Sequence, residues 1–179
     1  KLLLDPYARE VVGTFEWRSE NFPYVHPSPP DTPPEQPPAM DGRDNAAGAL
    51  KARVVQEDSF DWSGDQPPDV LLQGTVLYEA HVKGFSKRNP VVPEALRGTY
   101  AGLADPASLA HLKRLGVTSV SLLPVHYALD EERLAGMGLS NYWGYNSLAF
   151  FAPSVRLASQ QGGVNTRDEF RRLVKALPA

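Results

Sequence analysis

The chain has 179 residues, of which 42% are hydrophobic and 22% charged, and it carries a net charge of -3 at neutral pH with a pI near 5.8. That is enough chain for one core or two small ones, with the balance of an ordinary globular polypeptide. The charge provides no basic field for nucleic acid or an anionic membrane, the apolar runs fall well below the roughly 20 residues a spanning helix needs, and the lack of cysteine removes disulfides and thiolate metal sites.

The opening Lys1-Leu2-Leu3-Leu4-Asp5 has no initiator methionine and is too short for a secretion signal, so it reads as a piece that begins inside a longer polypeptide. Asp5-Pro6-Tyr7 is a turn signal, and Phe15-Glu16-Trp17 with Phe22 to Tyr24 offers rings that can pin the segment to a surface. Eight of the 17 prolines lie between Pro23 and Pro38. Each removes an amide donor and restricts its predecessor, so Pro23 to Gly48 is expected to be a long irregular excursion. A polyproline ligand is one reading of it; loop length favours a surface loop of a larger enzyme. Ala52 to Val55 is a candidate strand, and Phe60-Asp61-Trp62 leads into a further Pro-containing linker.

The pattern changes at Val76. Val76 to Val82 alternates, placing Val76, Tyr78, Ala80 and Val82 on one face and Leu77, Glu79 and His81 on the other. A loop from Lys87 to Ala101 is expected next. Asp105-Pro106 then starts a helix with a capping carboxylate and a proline whose missing amide costs nothing there. Leu109, Leu112 and Leu115 form its apolar stripe, and Gly116 stops it. Val117 to Val125 has the composition of a strand buried in a parallel sheet, which completes a βαβ unit with an expected right-handed crossover. Tyr127 to Gly138 is expected to be a polar, acidic loop. Thr166-Arg167-Asp168-Glu169 reads as a capping box opening a last helix with Phe170, Leu173, Val174 and Leu177 on its apolar face. The alternation calls next for a third strand, which does not follow.

No Walker-type phosphate loop, dinucleotide fingerprint or Gly-x-Ser-x-Gly elbow is present. His81 and His126 both fall near strand ends, and without a spaced third ligand structural or substrate-contact roles are favoured over metal binding. Glu79 is a possible general acid, but a buried, hydrogen-bonded carboxylate is the expected state. Asp130-Glu131-Glu132 reads as a solvated loop. The densest aromatic stretch is Asn141-Tyr142-Trp143-Gly144-Tyr145-Asn146. Its flat rings suit the apolar face of a pyranose, its amide and phenol groups suit hydroxyls, and Gly144 suits a tight backbone path. Rings that merely cover the end of a sheet give the same composition, and composition by itself favours that reading.

Val76-Leu77-Tyr78-Glu79-Ala80-His81-Val82-Lys83-Gly84-Phe85, Arg97 to Leu103, His111 to Thr118, Leu123-Pro124-Val125-His126 and Asn141 to Asn146 occur in the order found in a known barrel. Together with Phe150-Phe151-Ala152-Pro153 they closely resemble the bacterial glycogen debranching enzymes of the isoamylase type, within the α-amylase superfamily. The likeness is densest from Val76 to Pro153. It implies an α/β fold: an incomplete (β/α)8 TIM barrel represented by its first two βα units (residues 76–179), after an irregular Pro-rich lead-in (residues 1–75) that follows a β-sandwich. Such barrels run to about 250 residues with active sites on their C-terminal loops.

The resemblance also implies the chemistry: hydrolysis of α-1,6 branch linkages in glycogen or limit dextrin, with retention, in the cytoplasm and with no cofactor. Tyr145 takes the family's sugar-stacking position, with Trp143, Asn141 and Tyr142 shaping the same substrate site. The family's two aspartates and its glutamate acid/base fall on later strands, so no catalytic or metal-binding residue is assigned here. The expected partner is a branched α-glucan, with self-association through exposed barrel edges and no nucleic acid or membrane. A trehalose-releasing hydrolase or branching enzyme is the alternative within the superfamily; a non-catalytic remnant that binds glucan weakly is the alternative outside enzymes. Leu157 departs from a tyrosine common among relatives. Leu177-Pro178-Ala179 also departs, as the end of a truncated frame or gene remnant would.

Overall fold

The computed structural model describes residues 1–25, 37–56, 60–163 and 165–178. In the lead-in, β1 (Val11–Val12) pairs antiparallel with β2 (Lys51–Ala52). Most of the proline-rich stretch lies outside the described residues, and so does the polyproline reading. Its flanks are tied together by an antiparallel bridge between Tyr24 and Met40, with Val25 N–H donating to the Ala39 carbonyl at 2.9 Å. The excursion is therefore closed at its base.

Beside that bridge Asp41 is buried and accepts from the Arg43 side chain at 2.6 Å and the Arg43 backbone N–H at 2.8 Å. The Arg43 guanidinium holds the Asp41 carboxyl well below the usual carboxylate range. A depressed folded-state pKa gives stability that is present above the unfolded carboxylate value of about 3.9 and lost as pH falls through the folded one. Asp41→Asn is therefore expected to lower stability at neutral pH and to flatten the acid limb of a stability-against-pH curve below about pH 4, so that variant and wild type converge in acid, as followed by urea melts.

After the linker, β3 (Leu77–Ala80) runs into α1 (Val82–Ser86), α2 (Tyr100–Leu103) and α3 (Pro106–Arg114) before returning as β4 (Ser119–Leu122). β3 and β4 are parallel and in register from Leu77↔Ser119 to Ala80↔Leu122, so the βαβ unit forms as its sequence pattern requires. Asp105 caps α3 by accepting from Ala107 N–H at 2.9 Å, Pro106 opens it, and Gly116 leaves it at φ +74°. The expected loop from Lys87 to Ala101 ends in the first two residues of α2, whose Tyr100 and Leu103 are wholly buried. β4 is only half-buried along its length.

The polar stretch after β4 departs from its expected form. It contains β5 (His126–Ala128) and α4 (Glu132–Gly136), and β5 pairs antiparallel with β6 (Ser147–Pro153) through an irregular register. On β6 the alanines face inward, Ala149 at 0% and Ala152 at 1% exposure, while Phe150 and Phe151 are exposed. Small residues let the hairpin approach Ala8, Val11 and Leu50, and those five form one core cluster. α5 (Thr166–Ala176) then packs Leu173 against Val82, Tyr100, Leu103 and Leu157 in a second cluster. The aromatic lead-in also docks on α5, where Lys175 Nζ reaches the Asp61 carbonyl at 2.6 Å and the Arg171 guanidinium lies 5.6 Å from the Phe60 ring. Among the described residues, no helix is long and apolar enough to cross a membrane.

The expected capping box is displaced by one residue. Asn165, not Thr166, caps α5: it accepts from Asp168 N–H at 2.8 Å and returns a hydrogen bond to the Asp168 carboxylate at 2.9 Å. Asparagine is a stronger cap than threonine, and the shift frees Glu169 to turn inward.

Candidate functional site

The aromatic stretch forms the connection between α4 and β6, and short contacts fix both of its sides. Asn141 organises one side with three of its polar groups. Its N–H donates to Asp130 Oδ1 at 2.6 Å, its amide nitrogen to Glu131 Oε1 at 2.7 Å, and its Oδ1 accepts from Gly144 N–H at 2.9 Å. The last bond closes a turn that Gly144 completes at φ +78°, a backbone state glycine adopts without strain.

Asp130 anchors that turn. Its carboxylate meets the Arg156 guanidinium with two bonds of 2.7 Å, and its carbonyl accepts from the Trp17 indole at 2.9 Å. The acidic cluster is thus partly engaged, contrary to the solvated loop expected of it; fork-to-fork geometry with arginine makes the difference. Asp130→Ala should lower stability by about 1–2 kcal/mol, since the arginine is partly exposed while the Asn141 bond is charge-assisted. Thermal melts and Trp143 emission would report both the loss and the released turn.

On the other side, the Tyr142 ring stacks on the His81 imidazole with centroids 4.1 Å apart and planes 7° from parallel. His81 Nε2 lies 2.7 Å from the Tyr142 carbonyl oxygen, and His81 Nδ1 accepts from Gly84 N–H at 3.2 Å, capping α1. Trp143 stands edge-on to both rings, 5.6 Å from Tyr142 and 6.4 Å from His81. Exposure rises outward along the stretch, from 46% at Tyr142 to 56% at Trp143 and 72% at Tyr145. Among the described residues Tyr145 makes no hydrogen bond or ring contact, so both the ring and its hydroxyl are available.

Asn141 and Tyr142 line a cleft of about 170 Å³ together with His81, Lys83, His126 and Arg156. Trp143 and Tyr145 stand outside that lining, so the structure divides the four sequence-predicted residues between a polar cleft and an exposed pair of rings. His126 packs against Phe150 at 5.4 Å rather than against His81. Among the described residues no group of three His, Cys, Asp or Glu side chains could hold a metal ion. Glu79 departs from its expected buried state: it is exposed on the open face of β3 beside Leu77 and makes no hydrogen bond among the described residues. Nearby, burial raises the Tyr127 phenol above its ordinary range.

Over 177 residues the chain is 47% identical to the glycogen debranching enzyme of Yersinia pseudotuberculosis serotype IB (strain PB1/+), a match that covers 99% of this chain and 25% of that enzyme. The chain is a homologue of one part of the bacterial glycogen debranching enzymes. The glycogen operon protein GlgX homolog of Mycobacterium bovis is 43% identical over 178 residues, covering 99% of this chain and 24% of that protein. The chain thus spans about a quarter of the length of these curated relatives. Among solved structures, the type I pullulanase of Bacillus subtilis str. 168 complexed with maltose superposes with a TM-score of 0.58 at 30% identity, over 73% of this chain and 19% of that one. Apo pullulanase from Paenibacillus barengoltzii gives a TM-score of 0.57 at 24% identity over 73% of this chain and 22% of that one, a likeness of fold. The mixed α/β architecture with small sheets is therefore similar to that of one part of these pullulanases. No protein-family model matches the chain.

For a debranching-enzyme homologue, sequence reading missed Asp130, Arg156 and Gly84. Asp130 and Arg156 are 26 positions apart and join different elements, so no local spacing marks the pair. The Asn141–Gly144 turn did carry a local signal, an asparagine three residues before a glycine.

Proposed function

We propose that this chain supplies one wall of the substrate site in a glycogen debranching glycoside hydrolase that cleaves α-1,6 linkages of glycogen or limit dextrin in the cytoplasm. The observation that carries this reading is the exposed Trp143–Tyr145 pair on a pinned turn, in a chain 47% identical over nearly its whole length to a glycogen debranching enzyme. Tyr145 stacks on a glucose ring, Trp143 extends that platform, and Asn141 and Tyr142 hold it beside the cleft. Residues 76–179 act as the first two βα units of a (β/α)8 barrel, and residues 1–75 as their lead-in. The parallel pair β3–β4 joined through α3 supports that assignment.

Retaining glycoside hydrolysis needs two carboxyl groups about 5–5.5 Å apart across the scissile bond. Asp130 and Glu131 are committed to holding the turn, and Glu79 stands on the open face of β3. The likeness to the debranching enzymes implies that the catalytic carboxylates come from other barrel units and that the reaction uses no cofactor. The chain by itself is expected to bind branched glucan without turning it over, and to self-associate through the exposed Val76 and Leu77 beside the β3 edge. A chimera in which this chain replaces the matching quarter of the Yersinia enzyme tests the reading. Release of linear chains from glycogen is expected; a folded chimera without activity would count against it, and turnover by the chain on its own would refute the assignment of the carboxylates.

A further inference from the structure

His81 joins the end of β3 to the aromatic turn, and its partners determine where its proton sits. Gly84 N–H can only donate, so the Nδ1 facing it at 3.2 Å carries a lone pair. The Tyr142 carbonyl oxygen can only accept, so the Nε2 facing it at 2.7 Å carries the hydrogen. Both bonds are made together by the neutral Nε2–H imidazole, whose face also carries the Tyr142 ring at 4.1 Å. Gly84 completes the clasp. A Cβ there would overlap the Tyr142 hydroxyl oxygen and lie 3.7 Å from Tyr142 Cζ, so the phenol can close over α1 only because that position lacks a side chain.

We propose that His81 is a positioning residue for glucan recognition: its Nε2–H imidazole, with Gly84 beside it, fixes Tyr142 and thereby the neighbouring Trp143 and Tyr145 relative to β3. The proposal rests on the glucan-site reading above. Three side-chain functions converge on one histidine, and each does a separate task. The Nδ1 bond caps α1, whereas the Nε2 bond and the stacked ring act only on the turn. A residue needed for the cap alone would be replaced by asparagine without consequence, because the asparagine oxygen takes the place of Nδ1 and is among the best caps.

The test uses the whole chain and three variants: His81→Asn, which keeps the cap and loses the clasp; His81→Gln, which restores an amide donor toward the Tyr142 carbonyl; and Gly84→Ala, which leaves His81 intact. Imidazole 1H–15N correlations, thermal melts, Trp143 emission and affinity for maltoheptaose are measured for each. The wild type is expected to show the Nε2–H tautomer. His81→Asn is expected to melt near the wild type yet bind roughly fivefold to tenfold more weakly, the scale of one lost hydrogen bond with its stacked ring. His81→Gln should recover most of that loss. Gly84→Ala should weaken binding similarly while melting no lower, since alanine favours the helix. An Nδ1–H tautomer, or His81→Asn binding like the wild type with unchanged Trp143 emission, would overturn the proposal. If the wild type binds no maltoheptaose, the glucan-site reading fails. The clasp is then judged on tautomer and Trp143 emission, and unchanged emission in His81→Asn sinks it as well.

Discussion

Gly102→Ala is expected to destabilise the fold by about 3 kcal/mol or more, because the added methyl has nowhere to go. Gly102 lies buried in α2, and a Cβ there would overlap the Leu96 carbonyl oxygen while standing 2.8 Å from Ser86 Oγ. A flexible side chain could swing aside, but this obstacle is backbone. The Leu96 carbonyl is held in place by Thr99, which donates to it from Oγ1 at 2.7 Å and from its N–H at 3.2 Å. Gly102 is held from its own side too, since its carbonyl accepts from Ser108 Oγ at 2.7 Å. Gly136 on α4 provides the control: a Cβ there meets nothing within 4 Å, so Gly136→Ala should be neutral or stabilise by up to about 1 kcal/mol. Urea melts of the two variants would show opposite signs.

Glu169→Ala should have the next largest effect, a loss of about 3 kcal/mol. The carboxylate is buried, 4% exposed, and accepts from Ala101 N–H at 3.1 Å, from Ser159 Oγ at 2.8 Å, and from Ser159 N–H through both oxygens at 2.9 and 3.0 Å. It therefore ties α5 to the first turn of α2 and to the segment after Leu157. Alanine would strand those donors away from water, and stranded donors cost more than the bonds they lose. Glu169→Gln keeps the shape and one acceptor oxygen, so it should cost about 1 kcal/mol. The α2–α5 contact also sets Tyr100, which burial pushes above the ordinary phenol range and whose hydroxyl donates to the carbonyls of Val125 at 2.9 Å and Ser154 at 3.2 Å. Those carbonyls flank β5 and β6, so damage at Glu169 should reach the hairpin that carries the aromatic turn. Thermal melts with hydrogen exchange at β6 would show both effects.

Where the signals are local, the sequence makes the fold legible. Asp105, Pro106 and Gly116 mark α3 at both ends, and the apolar alternation from Val76 marks β3. The hairpin of β5 and β6 is hidden for a physical reason: on β6 the residues that go inside are alanines and those outside are phenylalanines, so hydrophobicity alternates in the wrong sense. The irregular register between the strands adds to this. Asn165 and Thr166 are neighbours able to fill one cap position, and in the structure Asn165 takes it while Glu169 turns inward. At the site, the aromatic turn and its glycine were visible, but the groups that hold it were not. His81 and Gly84 lie some 60 positions before Tyr142, and Arg156 lies 26 after Asp130, distances over which no periodicity operates. Glu79 was misjudged because alternation assigns a residue to a face without saying whether that face is covered.

Titration of the chain with maltoheptaose, followed by Trp143 emission and compared with Tyr145→Ala, tests most directly whether the exposed rings of the aromatic turn bind glucan. Saturable binding is expected, weakened about tenfold in Tyr145→Ala by loss of the stacking face. The melting temperature should not change, because Tyr145 is 72% exposed and holds nothing else in place. Equal affinity in the two proteins, or no binding by the wild type, would contradict glucan binding by those rings.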